Sequence, residues 1–283
     1  MKHFNCILKS ARITLLKNIL SPKNILGLLL VFSTLHYITR DLLDICNAYS
    51  VNIQPLGLFV FSTTSYYSCF MFMFSFLLIM CDAPFLDDMQ TGVVLRIGRS
   101  NWVLGQIIYI AVISILFWLF ILLGCIINVL PNLDTNLSWG KVFISMASHL
   151  ISVSGFGASS AVINNFTIIE AFGLCFILNV LLSFFMGLTT FNMNLATNKR
   201  YGIVIPFAMI MFHWQFIGGF GFPYKLLKIS PVSLANLMLL DPMSKTAFPT
   251  HQYSLSFFFV GCTFMILASV FLVQRKGFYE LDY

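Results

Sequence analysis

The sequence predicts an all-α membrane protein with six transmembrane helices, and its composition is the first reason. Of its 283 residues, 59% are hydrophobic and only 9% are charged, whereas soluble domains carry about 25% charged residues. So few charges cannot cover a water-exposed surface, so lipid is the expected solvent for most of the chain. The second reason is that long apolar segments recur without the alternation typical of a β-barrel. A single membrane domain over residues 1–283 is therefore expected.

The six apolar segments have about 18 to 27 residues each, and a helix needs roughly 20 residues to cross the hydrocarbon core. They lie at 23–40, 58–81, 102–128, 167–191, 202–220 and 254–273. A seventh stretch, 141–163, is interrupted by Lys141, His149 and several serines and glycines. We expect it to form an interfacial or partly embedded extracytoplasmic helix.

Residues 1–22 are predicted to form an amphipathic helix ahead of the first span. The apolar residues that recur there at helical spacing are Phe4, Ile7, Leu8, Ala11 and Leu15. The lysines fall largely at other positions, a pattern typical of a helix that lies at a membrane surface. Its apolar side is expected in the lipid and its lysines near anionic headgroups.

The lysines and arginines predict a multi-pass protein of the cell membrane with both termini in the cytoplasm. With six spans, eleven of these residues lie on the side of the termini and five on the other side, and cytoplasmic loops are the ones enriched in them. A seventh span at 141–163 would make the ratio ten to six, which barely separates the two topologies. The first three spans are the same in both, so the second-to-third connection is cytoplasmic either way.

That connection is predicted to contain a short helix, residues 84–98, lying along the inner membrane face. The apolar residues that recur every four positions along one side are Phe85, Met89, Val93 and Ile97. Asp87, Asp88 and Arg96 lie at other positions, where they could contact a soluble partner. The alternative is a solvated loop, but about twenty residues exceed what two adjacent helices need.

The sequence carries few signs of chemistry. It has no G-x-x-x-x-G-K-[ST] motif for nucleotide phosphates, no metal-binding spacing among its five histidines, and no C-x-x-C pair among its seven cysteines. No basic run interleaved with aromatic residues indicates nucleic-acid binding. We therefore expect no enzyme activity, no bound metal or cofactor and no nucleic-acid partner.

Polar and aromatic residues in the later spans are candidates for a translocation path. These candidates are Glu170, Asn179, His213, Gln215, Phe220 and Phe222. The two phenylalanines belong to the motif IGGFGFP, which is either a break where the chain bends back into the outer leaflet or an ordinary helix end. For Glu170, the alternative to a place in the path is that it lies at headgroup depth and faces water.

The order of these elements resembles the type-2 ABC exporter permeases, membrane subunits whose ATPase is often a separate chain. That family carries an E-x-x-x-G-T-like element in the second-to-third connection, then an arginine- or proline-containing turn and a glycine-lysine pair. The matching residues are Asp88, Gly92, Arg99 and Gly105. Val93 and Gln106 stand where the family has threonine and lysine. Further similarities are PVSLANLMLLDP before the last span and VQRKGFYELDY after it.

The resemblance implies that the connection is a coupling helix, which docks in a groove of the ATPase. The residues expected to make that contact are Phe85, Asp87, Asp88, Met89, Gln90, Thr91, Gly92, Arg96 and Arg99. It also implies ABC ATPase subunits that supply ATP and Mg²⁺, and a second permease subunit, identical or related, across the substrate path. The expected function is export of a hydrophobic or amphipathic substrate, such as a peptide, an antibiotic or a lipid. The alternatives are a secondary transporter and a non-transporting membrane protein such as a peptide immunity factor.

Overall fold

A computed structural model of the chain describes residues 2–84, 92, 94, 96–151, 153, 156–197, 201–217, 224–244 and 246–275. Most residues in these ranges are helical, and two isolated β-bridges are the only strand-like pairing in them. Four helices are long and apolar enough to cross a membrane, or five if one bent pair counts as a single span. The prediction of an all-α, multi-pass membrane protein is therefore confirmed, whereas the number six is not.

The helices have the following bounds. In chain order they are α1 Lys2–Asn18, α2 Pro22–Tyr49, α3 Pro55–Thr64, α4 Tyr66–Met80, α5 Arg99–Val129, α6 Gly140–Ala147, α7 Ser160–Asn165, α8 Ile168–Thr197, α9 Val204–Ile217, α10 Pro231–Ala235 and α11 His251–Arg275. Short 3-10 turns lie at Leu130–Asn132, Tyr224–Lys228 and Leu237–Leu239. The four long apolar helices are α2, α5, α8 and α11.

Contacts between helix ends define two opposite ends of the bundle. At end A, which holds the start of α2 and the end of α4, Lys23 forms an ion pair with Asp82. At end B, which holds the end of α2 and the end of α5, the Ile53 amide donates to the Asn132 carbonyl at 2.7 Å. The predicted cytoplasmic side corresponds to end A, because α1 and the end of α11 also lie there.

The first span is longer than the predicted 23–40. Helix α2 starts at the N-cap Ser21, whose side chain accepts from the amide of Asn24, with Pro22 in the first turn. Its buried side continues past residue 40 through Leu42 and Cys46. A helix of 28 residues is about 42 Å long, so α2 exceeds the hydrocarbon thickness of about 30 Å.

The predicted second span, 58–81, needs a correction, because it is not one continuous helix. Helices α3 and α4 meet at Ser65 with a bend of 83°. The cause lies in the run FSTTS at 61–65, where hydroxyl groups bond to carbonyls of the preceding turn: Thr64 Oγ1 donates to the Val60 carbonyl at 2.9 Å and Ser65 Oγ to the Phe61 carbonyl at 2.6 Å. Such back-bonding competes with the helical ladder and bends helices.

The two remaining predicted segments lie before and at the fifth span. Helix α9 covers 14 described residues of the predicted span 202–220, and residues 218–220 of that span lie outside the described ranges. The stretch 141–163 forms two helices, α6 with eight residues and α7 with six, rather than one. Helix α6 ends because His149 adopts a left-handed conformation with φ 58°. Neither short helix is long enough to cross a membrane.

Helix α1 packs on the start of α5, and small residues make that contact possible. Ser10, Ala11 and Thr14 are buried there, while Leu8 and Leu16 remain exposed. Gln106 Nε2 donates to Thr14 Oγ1 at 3.1 Å. Part of the α1 surface that was predicted to lie in lipid, Ala11 included, is therefore covered by protein.

The close approach of α1 to α5 predicts a specific effect of Gly105→Ala. A Cβ atom at position 105 would lie 2.8 Å from the Ser10 side chain and 3.2 Å from the Ile7 carbonyl oxygen. Overpacking of this kind costs about 1–3 kcal/mol, so α1 should detach more often. We expect a faster reaction of the half-buried Cys6 with a maleimide. Gly173→Ala is the matched control because nothing lies within 4 Å of its added Cβ; equal rates in both variants would contradict the packing.

Candidate functional site

The bend between α3 and α4 lies inside the bundle. Helix α3 is buried on every side, from Gly57 to Thr64. Its terminal carbonyls would therefore face no water, and each needs a protein donor. Ser65 supplies two, since its amide and its hydroxyl both bond to the Phe61 carbonyl, at 3.0 and 2.6 Å. The Ser68 hydroxyl donates to the Ser62 carbonyl.

A second interrupted segment reaches the same place. It comprises α10 and the turn Leu237–Leu239, and every residue of α10 is buried. Asn236, between the two, donates from Nδ2 to the Thr64 carbonyl at 3.0 Å and accepts from the Met238 amide at 3.0 Å. One side chain thus satisfies the end of α3 and starts the next turn of its own segment. We call this meeting point the junction, defined by Thr64, Ser65 and Asn236.

A cavity of about 310 Å³ opens beside the junction. Its walls are Thr64, Ser65, Tyr66, Tyr67, Gly157, Asn236, Met238 and Leu239. The volume is at the lower limit of the range of about 300–1,000 Å³ that small-molecule sites occupy. Broken helices that expose carbonyls and hydroxyls next to a cavity are typical of substrate sites in transporters.

Two tyrosines of the cavity wall, Tyr66 and Tyr67, contact aromatic rings of neighbouring helices. Tyr66 lies against Trp214 of α9, with ring centroids 3.9 Å apart, and Trp214 meets Phe70 edge-on at 4.6 Å. Tyr67 contacts Tyr37 of α2 at 5.8 Å, and Tyr37 is 61% exposed. The aromatic contacts therefore run from the junction to the outer surface of α2.

Further polar side chains lie next to the two interrupted segments. His213 Nδ1 lies 2.9 Å from the Ser233 hydroxyl, which donates to the Ser230 hydroxyl at 2.9 Å. The other ring nitrogen of His213, Nε2, is buried and has no partner among the described residues. On the opposite side, the Thr63 hydroxyl lies 2.9 Å from the Cys175 sulfur. Asn179 donates to the Cys175 carbonyl at 2.8 Å.

The structure brings two of the predicted path residues close to the junction. Asn179 and His213 are buried there, and each is linked through a neighbour to the interrupted segments. Gln215 is exposed. Glu170 caps the start of α8, accepting from the amide and the hydroxyl of Thr167 at 2.9 and 2.8 Å, as in a capping box. Phe220 and Phe222 lie outside the described residues, as do the glycines of IGGFGFP.

Most of the predicted coupling residues also lie outside the described ranges. These are Phe85, Asp87, Asp88, Met89, Gln90 and Thr91, together with Val93 of the apolar side. Of the others, Gly92, Arg96 and Ile97 are helical, Arg96 is exposed and Arg99 is half-buried. The assignment of these residues to a coupling contact stays a prediction.

Both sides of the connection are fixed to end A of the bundle. Before it, Asp82 pairs with Lys23, and the Ala83 carbonyl accepts from Asn194 of α8. After it, Gly98 turns the chain into α5 with φ 83°, a conformation that favours glycine. The connection is therefore tied to α2 and α8 on one side and continues directly into α5 on the other.

No group of three or more histidine, cysteine, aspartate or glutamate side chains is placed to hold a metal ion within the part of the chain that the structure describes. Five of the seven cysteines are buried. Ser65, Tyr66 and Asn236 are not identified as site residues by the sequence alone. The run FSTTS carried a usable signal, because several consecutive hydroxyl residues inside an apolar helix favour a bend.

Comparison of the chain with protein-family models, with curated proteins and with solved structures gave no match in any of the three.

Proposed function

We propose that the chain is the membrane-spanning permease subunit of an ATP-driven exporter of the type-2 ABC kind, carrying a hydrophobic or amphipathic substrate. The observation that supports transport is the junction, where two interrupted segments meet inside the bundle beside a cavity. A purely structural membrane bundle has no need of such a break, because freed backbone groups are costly in lipid unless they are satisfied again.

The geometry of end A supports an external source of motion. A partner that docks on the connection would push on a segment tied to α2 and α8 and continuous with α5. The force would therefore reach three of the four long helices as a rigid-body tilt. ATP binding shifts the permease only if the partner contacts its two states differently. We place end A and both termini in the cytoplasm of a cell-membrane protein, and ATP and Mg²⁺ on the partner ATPase.

The cavity walls indicate the chemical class of the cargo. Tyr66, Tyr67, Met238 and Leu239 offer apolar surface, and the Ser65 hydroxyl and the Asn236 amide offer a few polar contacts. This mixture suits a small amphipathic solute or one part of a peptide or lipid. A second permease subunit would close the path on the side that one chain leaves open.

Co-purification of an ATPase tests this proposal. We expect a P-loop ATPase to accompany the tagged full-length chain from native membranes in mild detergent. In the proposed contact the exposed Arg96 pairs with an acidic group of the ATPase. Arg96→Glu should therefore reduce the recovered ATPase to about one tenth or less, because two like charges in a contact cost several kcal/mol and each 1.4 kcal/mol is a factor of ten. Lys228→Glu makes the same charge change at an exposed residue beside the start of α11, where the Tyr253 hydroxyl donates to the Lys228 carbonyl at 3.1 Å. This variant should leave the recovery unchanged, because that end of α11 is opposite to end A. Absence of any ATPase with the unaltered chain would reject the proposal.

A secondary transporter is the second candidate, because interrupted segments meeting inside the bundle are also typical of that class. Proteoliposomes separate the two. Uptake driven by a proton or sodium gradient without ATPase would favour the second candidate, whereas uptake that needs the ATPase and ATP would favour the first.

A further inference from the structure

A second cavity, of about 370 Å³, lies at end B between α2 and α6. We call it the α2–α6 cavity. Its inner walls are Ile45, Cys46, Val51, Val142 and Ile151. All five side chains are buried or half-buried, and four are aliphatic. The interior therefore offers an apolar ligand few hydrogen-bonding groups.

The mouth of this cavity has a different character. Tyr49, Lys141 and Leu150 line it and are all exposed, Leu150 to 79%. Ser145 is the other polar wall residue, and among the described residues the cavity lining includes one cation, Lys141, and no acidic side chain. An apolar interior with a cation at its opening is complementary to a ligand with a long apolar tail and an anionic head.

The backbone fixes Leu150 at the mouth. The amide of Leu150 donates to the Ser145 carbonyl at 3.0 Å, and the amide of His149 to the Met146 carbonyl at 3.1 Å. This pair of bonds, with a left-handed residue between helix and loop, is the Schellman pattern of a helix end. Leu150 is therefore held in its exposed position, where an apolar neighbour would cover it.

The depth of the cavity agrees with a lipid ligand. Ile45 lies 23 residues beyond Pro22 along α2, about 35 Å at 1.5 Å per residue. If Pro22 lies at one membrane surface, this distance puts Ile45 close to the opposite surface. There the hydrocarbon, about 30 Å thick, meets the headgroup layer. Tyr49 and Trp139 also lie at this end, and such residues are enriched at that boundary.

We propose that the α2–α6 cavity binds one acyl chain of an anionic phospholipid, whose phosphate contacts Lys141. The chain fills the apolar interior and covers Leu150, and the headgroup stays at the level of the other headgroups. Because α6 packs against α3 through Phe143 and Phe61, the lipid is in contact with the elements that support the junction. The site does not depend on the proposed transport.

Photo-crosslinking tests this site. The full-length chain is placed in nanodiscs that contain a small fraction of phosphatidylglycerol or phosphatidylcholine with the same diazirine-bearing acyl chain. We expect crosslinks in residues 45–51 and 142–151, with phosphatidylglycerol favoured about fivefold, the ratio equivalent to about 1 kcal/mol per lysine near a charged surface. Lys141→Gln should abolish this preference, whereas Lys228→Gln should keep it.

Two results would overturn the assignment. Equal crosslinking by both lipids would mean that only general lipid contact occurs at this surface. Crosslinks confined to the exposed side of α11, for example at Phe259 and Phe264, would mean that the α2–α6 cavity stays without lipid. A third variant, Val142→Trp, reduces the free volume of the cavity and should lower crosslinking by both lipids.

Discussion

Replacing Gly202 by alanine is expected to lower the apparent melting temperature by about 10 °C, which corresponds to roughly 2–4 kcal/mol. A Cβ atom at this position would lie 2.3 Å from the Thr190 carbonyl oxygen and 2.6 Å from Asn194 Oδ1. The first of these atoms belongs to the backbone of α8 and cannot rotate away. Residue 202 would therefore have to move, together with the start of α9.

The loss extends beyond this clash, because Asn194 joins three parts of end A. Its Oδ1 accepts from the Gly202 amide at 2.6 Å, and its Nδ2 donates to the Ala83 carbonyl. Displacement of residue 202 breaks the first of these bonds, which is buried. The loss of a buried hydrogen bond adds about 1 kcal/mol to the cost of the clash.

Thermal unfolding in detergent, followed by a thiol-reactive fluorophore, measures this effect. Buried cysteines such as Cys69, Cys125 and Cys175 react only when the bundle opens. Gly157→Ala is the control, since nothing lies within 4 Å of its added Cβ and its φ is not in the left-handed range. A melting temperature of Gly202→Ala that equals the control's would show that the α8–α9 turn is looser than the structure indicates.

Asn236→Leu is expected to open the junction. Leucine has a similar size but cannot donate to the Thr64 carbonyl or accept from the Met238 amide, both 3.0 Å from the asparagine. Thr64 is 3% exposed and Asn236 is 2% exposed, so water has little access to the lost bonds. We expect a destabilisation of about 2–4 kcal/mol from two lost bonds and a buried carbonyl without a donor.

The effect should be local as well as global, so hydrogen–deuterium exchange followed by mass spectrometry is the suitable measurement. Amides in peptides covering residues 60–68 and 231–240 should exchange faster, while those of α5 should change less. Asn128→Leu is the matched control, because within the described residues the Asn128 side chain bonds to neither interrupted segment: it donates to the Gly124 carbonyl within its own helix at 2.8 Å and accepts from the Thr39 hydroxyl of α2 at 3.5 Å. If both variants exchange alike, the contact between the two interrupted segments does not hold the junction.

The membrane class and the long helices follow from composition and local pattern. Segments around 102–128, 167–191 and 254–273 form α5, α8 and α11 within a few residues, because a continuous apolar run in lipid satisfies its backbone only as a helix. The start of α2 at Ser21 also follows from local sequence, since serine followed by proline is typical of a helix N-terminus. These features depend on neighbours in sequence alone.

The candidate site could be predicted only in part. Asn179 and His213 were identifiable, because polar residues in apolar spans stand out. Their partners were not, since Cys175 and Ser233 are ordinary residues until the fold brings them near. The same holds for Asn236 and Thr64, which are 172 positions apart in the chain and 3.0 Å apart between their bonding atoms.

The sequence by itself determined that this chain is a helical, multi-pass membrane protein with a polar connection after its second apolar segment. The local run FSTTS favours a bend, and tertiary structure decided that a break at Ser65 is tolerated, because Asn236 and nearby hydroxyls reach the freed carbonyls. It also decided where α1 lies, because Gly105 and Ser10 allow close packing only after both helices exist. Hydrophobicity fixes which residues leave water, and long-range hydrogen bonding and packing fix how they meet.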